Sequence, residues 1–411
     1  MRRITSAVAA ASVAALALTG CGTTAPPADN DGPVELTLWT GFTGGDRAAY
    51  EGLIETFNET HDDIQVTMEV QPWDTIAQKL PSAWSTGQGP DLATPNFDPN
   101  IIGKYLDTNS LLPLDSVGDT SLLFPAAIDA FTSGGKLYAV PANVATLQLY
   151  YNKALFEAAG IDAPPATVAE FKEDVAALTG DGVVGLSVAE RETIQMWPIL
   201  QWLDGGDLVD ENGCSVLDSP ESVDGLQSWV DLAEAGALPV GLTGAESDSL
   251  FSAGKAAMQL NGPWAAAGYK DAGIDLGVAP VPVGVNGPVT LGSTVPMAIS
   301  AGTDHPAEAQ EFLEWWTGKD AQRQFALASG FPPVRTDLAD DPELAADEIV
   351  ATFAGALPSA RLYLVGITGA TQVDTEAYVP FIGEITRGAD IASSAQAASE
   401  KIDTITGCAG Q

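Results

Sequence analysis

The chain reads as an α/β protein whose sheets are mostly parallel and flanked by helices. Three observations predict this: a strand-helix-strand unit opens the globular part, the same grammar returns in the second half, and 411 residues suffice for two or three domains with ample core. Val34-Glu35-Leu36-Thr37-Leu38-Trp39 alternates apolar and polar residues, which predicts a strand, and Gly41 to Gly45 turns the chain into a helix. Between Asp46 and Thr60, the residues Tyr50, Leu53, Ile54 and Phe57 fall on one helical face. Ile64 to Val70 alternates again and completes the unit, favouring a parallel sheet covered by helices. Trp73 to Trp84 is the next helix, ended by Gly87-Gln88-Gly89-Pro90, and Asp91-Leu92-Ala93 is a short strand leading into the loop from Thr94 to Asn100. A β-prone run from Leu137 to Tyr151 passes through Pro141-Ala142-Asn143 and gives way to a helix at Asn152-Lys153.

The second half predicts a strand at Gly185-Leu186-Ser187-Val188, an aromatic-rich helix from Thr193 to Leu203 and another from Ser222 to Ala235. Leu250 to Gly254 is a short helix before a strand over Lys255 to Leu260, which Asn261-Gly262-Pro263 stops. Pro280 to Ile299 is strand-like and turns often, being rich in Gly and Pro. Pro306 to Gly318 is a marked helix with Asp304 as its cap and Gly318 past its end.

Ahead of the globular part, Arg2 and Arg3 precede an Ala-rich apolar run that ends in Leu18-Thr19-Gly20-Cys21. A charged start, a short apolar segment and small residues before a cut describe a cleavable export signal, and Ile4 to Gly20 is short for a membrane span. Leu-Thr-Gly-Cys resembles the lipobox of bacterial lipoproteins, which implies a leader over residues 1–20, a lipidated Cys21 carrying palmitate-type acyl groups, and a tether over residues 21–33 that anchors the protein outside the cell. An ordinary signal peptide cut slightly later, leaving a free thiol, is the competing reading.

The formal net charge of −38 deepens by two once Arg2 and Arg3 leave with the leader. Such a surface repels phosphate backbones and anionic lipids, so nucleic acid is excluded as a partner, membrane contact is expected through the lipid alone, and an anionic substrate is disfavoured. Cys214 and Cys408 are free to pair in an oxidising exterior, which would staple the C-terminus to the body, or to remain as two thiols that never meet. His61 and His305 are the only histidines of the sequence, no His-Glu-x-x-His occurs, and Asp210-Glu211-Asn212-Gly213 has Leu208 where a calcium loop would begin with Asp. Catalysis through Ser-His or zinc is thus poorly supplied, and no metal or cofactor is expected.

Several segments stand in an order that resembles the maltose-binding-protein-like group of extracellular solute-binding proteins of ABC sugar importers. They are Leu36-Thr37-Leu38-Trp39 with Phe57-Asn58, Gly89-Pro90-Asp91-Leu92, Tyr138-Ala139-Val140-Pro141, Tyr150-Tyr151-Asn152-Lys153, Trp197-Pro198, Gly254-Lys255-Ala256-Ala257-Met258, Asn261-Gly262-Pro263-Trp264 and Ala307-Glu308-Ala309-Gln310-Glu311-Phe312-Leu313. The resemblance implies a type II periplasmic-binding-protein fold: two α/β lobes joined by about three crossings, with ligand held in the cleft and an ABC permease as partner to the closed, monomeric receptor. Carried onto this chain, lobe one spans residues 34–143 and 292–340 and lobe two spans 144–291 and 341–411, with crossings near Asn143 to Thr146, Gly292 to Val295 and Leu338 to Pro342.

A carbohydrate needs flat aromatic faces for its C–H surfaces and planar carboxylates or amides for its hydroxyls. Trp264 leads the first kind, because Gly262-Pro263 makes a rigid turn and the family's equivalent Trp stacks on sugar; a core Trp closing a strand is the plainer alternative. Asp98 and Asn96 lead the second, in a loop where Pro95 and Pro99 replace the aromatic and basic residues of the maltose-type pattern, so maltose specificity does not transfer. A solvated turn rich in Asn, Asp and Pro is the competing reading there. Thr43 and Asp46 follow the first strand, where ligands gather at carboxyl ends of strands, and Glu192 and Gln195 hold the corresponding place in the second half, with helix capping and surface polarity as alternatives. Trp73 opens a helix near the family's cleft, Asp374, Glu376 and Tyr378 are last-lobe contributors, and Trp197, Trp315 and Trp316 read as packing. Two rivals remain open: a binding protein for a non-sugar solute such as a polyamine, which suits the charge, and a secreted glycosidase, for which abundant Asp, Glu and Trp are no proof of a paired acid and base.

Overall fold

The computed structural model of the chain describes residues 32–96, 101–191 and 196–408. Among these, twelve strands are named in chain order: β1 (Val34–Thr40), β2 (Ile64–Val70), β3 (Leu92–Ala93), β4 (Thr132–Ser133), β5 (Lys136–Leu137), β6 (Ala139–Thr146), β7 (Gln148–Asn152), β8 (Val184–Ser187), β9 (Ala256–Asn261), β10 (Leu276–Ala279), β11 (Thr290–Ile299) and β12 (Ala360–Leu362). They form two main sheets, each the centre of one lobe, and one small hairpin of β4 with β5.

The first sheet runs β12-β11-β3-β1-β2, with β6 on the other edge of β11. β1 is parallel to β2 from Val34↔Ile64 to Thr40↔Val70, and parallel to β3 at Leu38↔Leu92. The crossover between β1 and β2 is the helix Arg47–Thr60, whose buried face is Tyr50, Leu53, Ile54 and Phe57. That face meets Leu36, Leu38 and Val66 of the sheet and Phe312, Trp316 and Phe325 from two later helices. The second sheet runs β10-β7-β9-β8 and is buried by Phe171, Trp197, Trp229 and Phe381 from the helices packed on it.

The two lobes are joined chiefly by β6 and β11, which pair antiparallel from Gly292↔Thr146 to Ala298↔Ala139 and are buried along their whole lengths. The register shifts at Val295/Pro296, where Pro296 faces Pro141 and Ala142 is left over. Neither proline has an N–H to give, so a bulge costs the ladder nothing there. The carbonyl of Ala142 is taken instead by the Trp316 indole N–H at 3.0 Å. The expected third connection, near Leu338 to Pro342, leads into the helix Glu348–Gly355, which packs Val350 on Ala326, Leu338 and Leu344 and turns Ile349 and Phe353 toward Tyr150, Phe251 and Tyr269.

The sequence-based expectations need four corrections of detail. Both sheets are mixed: β6 and β11, which run between the lobes, pair antiparallel, and β7, which follows β6 directly, enters the second sheet antiparallel to β9 and β10. The described part of the aromatic helix begins at Trp197 with Pro198 in its first turn, Met196 lying outside it. The helix before β9 is longer than expected, Gly244–Ser252, because Thr243 and Glu246 form a capping box. Asp304 does not cap the helix Pro306–Trp316, whereas Gly318 lies past the end of that helix as expected and also caps a further helix, Lys319–Ser329.

Cys214 and Cys408 are joined in a disulfide, with Cα atoms 5.4 Å apart, across 194 residues of chain. It clips the end of the helix Ile391–Thr406 to the body beside the bond from Ser215 N–H to Asp403 at 2.8 Å. Closing so long a loop restricts the unfolded chain most, a contribution of about 2–4 kcal/mol. The double substitution Cys214→Ser/Cys408→Ser should therefore lower the urea midpoint by a corresponding amount while leaving ligand affinity within about twofold; an unchanged midpoint would show that the clip adds no stability.

Candidate functional site

The loop after β1 carries the geometry on which the cleft is built. A Cβ placed on Gly41 would stand 2.0 Å from the Trp73 ring, so the indole lies directly on the bare Cα of this glycine. Phe42 packs edge-on to Trp73 with ring centroids 5.5 Å apart, and stacks on Tyr50 at 3.7 Å. Three residues further on the same loop reaches the other lobe: a Cβ on Gly45 would lie 3.2 Å from the Trp264 carbonyl oxygen and 3.4 Å from the Gly268 nitrogen. Gly44 comes within 4.0 Å of the Trp264 Cβ by the same construction. The lobes thus touch through backbone, and the absence of a side chain at Gly45 is what lets them come this close.

Trp264 mirrors Trp73. A Cβ on Gly262 would fall 2.1 Å from its ring, so this indole too is seated on a glycine. It is half-buried, packs against the cores of both lobes, and has Phe331 at 6.2 Å between ring centroids. The peptide groups flanking Gly262 are fixed: the N–H donates to the Asn261 side chain at 2.8 Å, and the carbonyl accepts from the Tyr150 hydroxyl at 2.9 Å.

Asp46 is the most perturbed carboxyl of the site. It is 6 % exposed, and burial pushes its pKa up to about 7, opposed only in part by its own backbone N–H. Burial first, and the Asp46 charge second, raise the Tyr50 phenol, whose hydroxyl accepts a 2.5 Å bond from Asn143 on β6. In the second lobe Glu190, just past β8, is buried and raised for the same reason, against bonds from the Gly241 N–H and from the Trp197 indole at 2.9 Å.

Of the residues expected from the sequence, Trp264, Trp73, Asp46 and Thr43 come together around this loop, Thr43 exposed and the two indoles half-buried. Asn96 is half-buried past the end of β3. Asp98, Glu192, Gln195 and the lipidation candidate Cys21 lie outside the described residues. The last three candidates sit on the π turn Val373–Tyr378, whose wide spacing sends them to different surroundings. Asp374 is half-buried and accepts from the Tyr363 hydroxyl at 2.9 Å. Glu376 is exposed, its carbonyl accepting from Lys401 at 2.6 Å. Tyr378 is a correction: it has no exposed surface, its hydroxyl donates to Gln201 at 3.0 Å, and it belongs to the lobe core. Trp197 and Trp316 are core residues, as expected of packing side chains. Sequence reasoning missed Glu190, Phe331 and the two glycine seats; of these Gly262 carried a signal, standing two residues before Trp264, and Gly41 carried none.

Two lobes, each a mixed sheet under helices, with aromatic and carboxylate groups at the gap between them, define the class of two-lobed binding proteins. The chain belongs to the bacterial extracellular solute-binding protein family, whose model matches residues 52–352. It is 28 % identical to a maltotriose-binding protein of Pyrococcus abyssi over 80 % of this chain and 73 % of that protein, and 27 % identical to an arabinooligosaccharide-binding protein of Halalkalibacterium halodurans over 80 % and 77 %. Among solved structures it is similar to the GacH receptor of Streptomyces glaucescens, solved unliganded and with acarbose, at 26 % identity and a TM-score of 0.80, covering 91 % of this chain and 99 % of that one. Among the described residues no helix is long and apolar enough to cross a membrane.

The buried Asp46 links stability to pH. Its folded value near 7 exceeds the unfolded value near 3.8, so the folded state holds the extra proton between them. The stability it contributes is complete below about pH 4 and is lost as pH rises through 7. Asp46→Asn should accordingly melt higher than wild type at pH 8 and converge with it below pH 5 in thermal scans; a gap that does not change with pH would remove this linkage.

Proposed function

We propose that this protein is the substrate-binding component of an ABC importer, capturing a mono- or oligosaccharide in the cleft and delivering it to the permease without covalent chemistry. The observation that carries the reading is the pair of glycine-seated indoles, Trp73 in one lobe and Trp264 in the other, at the two ends of a single loop that touches both lobes. Flat rings seated in this way suit the C–H surfaces of a pyranose, and Asp46, Asn96 and Asp374 offer acceptors to its hydroxyls. The names of the relatives support the sugar, and the family supports an extracellular site of action.

Lobe one is taken as residues 34–143 and 292–340 and lobe two as 144–291 and 341–411, with β6 and β11 flexing as the lobes open and close. A monomer tethered through a lipidated Cys21 would keep the loaded receptor near its permease. Closure is favoured by ligand only to the extent of its extra affinity for the closed form.

Titration calorimetry with maltotriose, an arabino-oligosaccharide, acarbose and spermidine tests the reading. Saturable heat with a saccharide, unchanged sugar on chromatography and no heat with spermidine is expected; tight spermidine binding alone, or released reducing ends, would replace it with one of the rivals. Trp264→Ala should weaken saccharide binding by about tenfold or more, a loss of about 1.4 kcal/mol, while the empty protein melts nearly as wild type. Gly45→Leu should wedge the lobes apart, giving a larger radius of gyration in X-ray scattering with saturating saccharide; scattering curves identical to wild type would place the closing contact elsewhere.

A further inference from the structure

Behind the Trp264 turn lies a buried polar cluster that no part of the binding reading uses. One oxygen of Asp248, Oδ1, accepts from the Asn261 side-chain amide at 2.7 Å and the Gln259 amide at 3.0 Å, and lies 2.8 Å from the Tyr269 hydroxyl, whose single proton is shared between it and the Gln259 side-chain oxygen. Gln259 also donates to Ser247 at 2.8 Å, and Ser247 bonds Ser187 at 2.6 Å. Asn261, Gln259, Tyr269, Ser247 and Ser187 are at most 2 % exposed. The cluster therefore ties the helix Gly244–Ser252, β8, β9 and the helix Ala266–Asp271 into one hydrogen-bonded unit.

The orientation of Asn261 is what the unit decides. With its amide nitrogen held by Asp248 and by the Tyr269 oxygen at 2.8 Å, its carbonyl oxygen must point the other way, and there it accepts the Gly262 N–H at 2.8 Å. Released from Asp248, the amide would keep only the Tyr269 oxygen to hold it, and turning over would present N–H to N–H and leave a buried donor unpaired. Gly262 is the residue on whose bare Cα the Trp264 ring rests, so a rotation of its peptide moves the indole directly.

We propose that Asp248 is a positioning residue for ligand binding: through Asn261 it fixes the peptide before Gly262 and thereby holds the Trp264 indole on its glycine seat. Asp248 touches no ligand in this scheme, and the scheme rests on the sugar-binding reading only for its second readout. The cluster is also charged where it need not be. All three contacts fall on Oδ1, so an asparagine in place of Asp248 with its oxygen at that position would serve them equally.

The test uses the full chain carrying 5-fluorotryptophan, with the Trp264 resonance assigned by its loss in Trp264→Phe, and ¹⁹F spectra recorded without ligand. In Asp248→Ala the Trp264 resonance should shift or split by more than its linewidth, and maltotriose affinity should fall about tenfold or more; in Asp248→Asn both should stay near wild type. If Asp248→Ala fails to fold, Asp248→Ser, whose hydroxyl is too short to reach Asn261, takes its place with the same expectation. A Trp264 resonance unmoved in these variants overturns the proposal, as does one moved equally in Asp248→Asn. Wild-type protein that binds no saccharide would overturn the sugar reading instead, while the ligand-free spectra would still decide the role of Asp248.

Discussion

The antiparallel pairing of β6 with β11 is the constraint on which the rest of the molecule depends. Any segment that crosses between two lobes must satisfy its backbone N–H and C=O groups where water is excluded, and these two buried strands do so by satisfying each other. Side chains reinforce the crossing: Thr294 donates to the Asn143 carbonyl at 2.9 Å, and Thr146 donates to the Phe353 carbonyl at 2.9 Å, which brings the helix after the third connection alongside the first two. At the facing prolines, 141 and 296, the ladder is interrupted without orphaned donors, and the one freed carbonyl is capped by Trp316. The ribbon is thereby secured at both ends and discontinuous in its middle, a distribution of stiffness suited to bending at one place.

From this ribbon the order passes outward to the cleft through Asn143, which holds the Tyr50 hydroxyl. Tyr50 in turn stacks on Phe42, and Phe42 braces Trp73. The loop between Gly41 and Asp46 is thus anchored from behind by aromatic packing while its front is almost bare backbone. A loop of larger residues would fill the gap it borders and hold the lobes apart; a loop of glycine alone would cost too much conformational entropy to stay in place. Alternating the two solves both demands within six residues.

Much of the fold was legible because its local signals agree. The β1–helix–β2 unit shows the period-two and helical spacing of its apolar residues without ambiguity, and Asn152 announces the helix it caps. The mixed character of the sheets was not legible, since strands that cross between lobes look in sequence like any buried apolar run. Among site residues, Trp264 stood out because Gly262-Pro263 precedes it, whereas Gly41 was unreadable as a seat for Trp73, thirty-two residues away. Tyr378 misled for a related reason. The resemblance places it beside Asp374 and Glu376, but nothing in the residues shows the π turn that carries its ring into the lobe core.

Electrostatics narrows what the cleft can accept more firmly than shape does. Asp46 lies in the lobe contact with its pKa already raised by burial, so a ligand that excluded further water would raise the cost of its charge again unless it supplied donors. An anionic ligand makes this worse on two counts, adding like-charge repulsion locally and meeting the field of a chain at −38 on approach. A hydroxyl-rich neutral ligand relieves the first penalty by hydrogen bonding and is indifferent to the second. A cation relieves both, but it has no use for two indole faces set on glycine seats unless it also carries extended surface to lie against them. The combination of a buried carboxylate with flat, half-buried rings therefore suits the proposed ring-shaped polyol better than a bare ion of either sign.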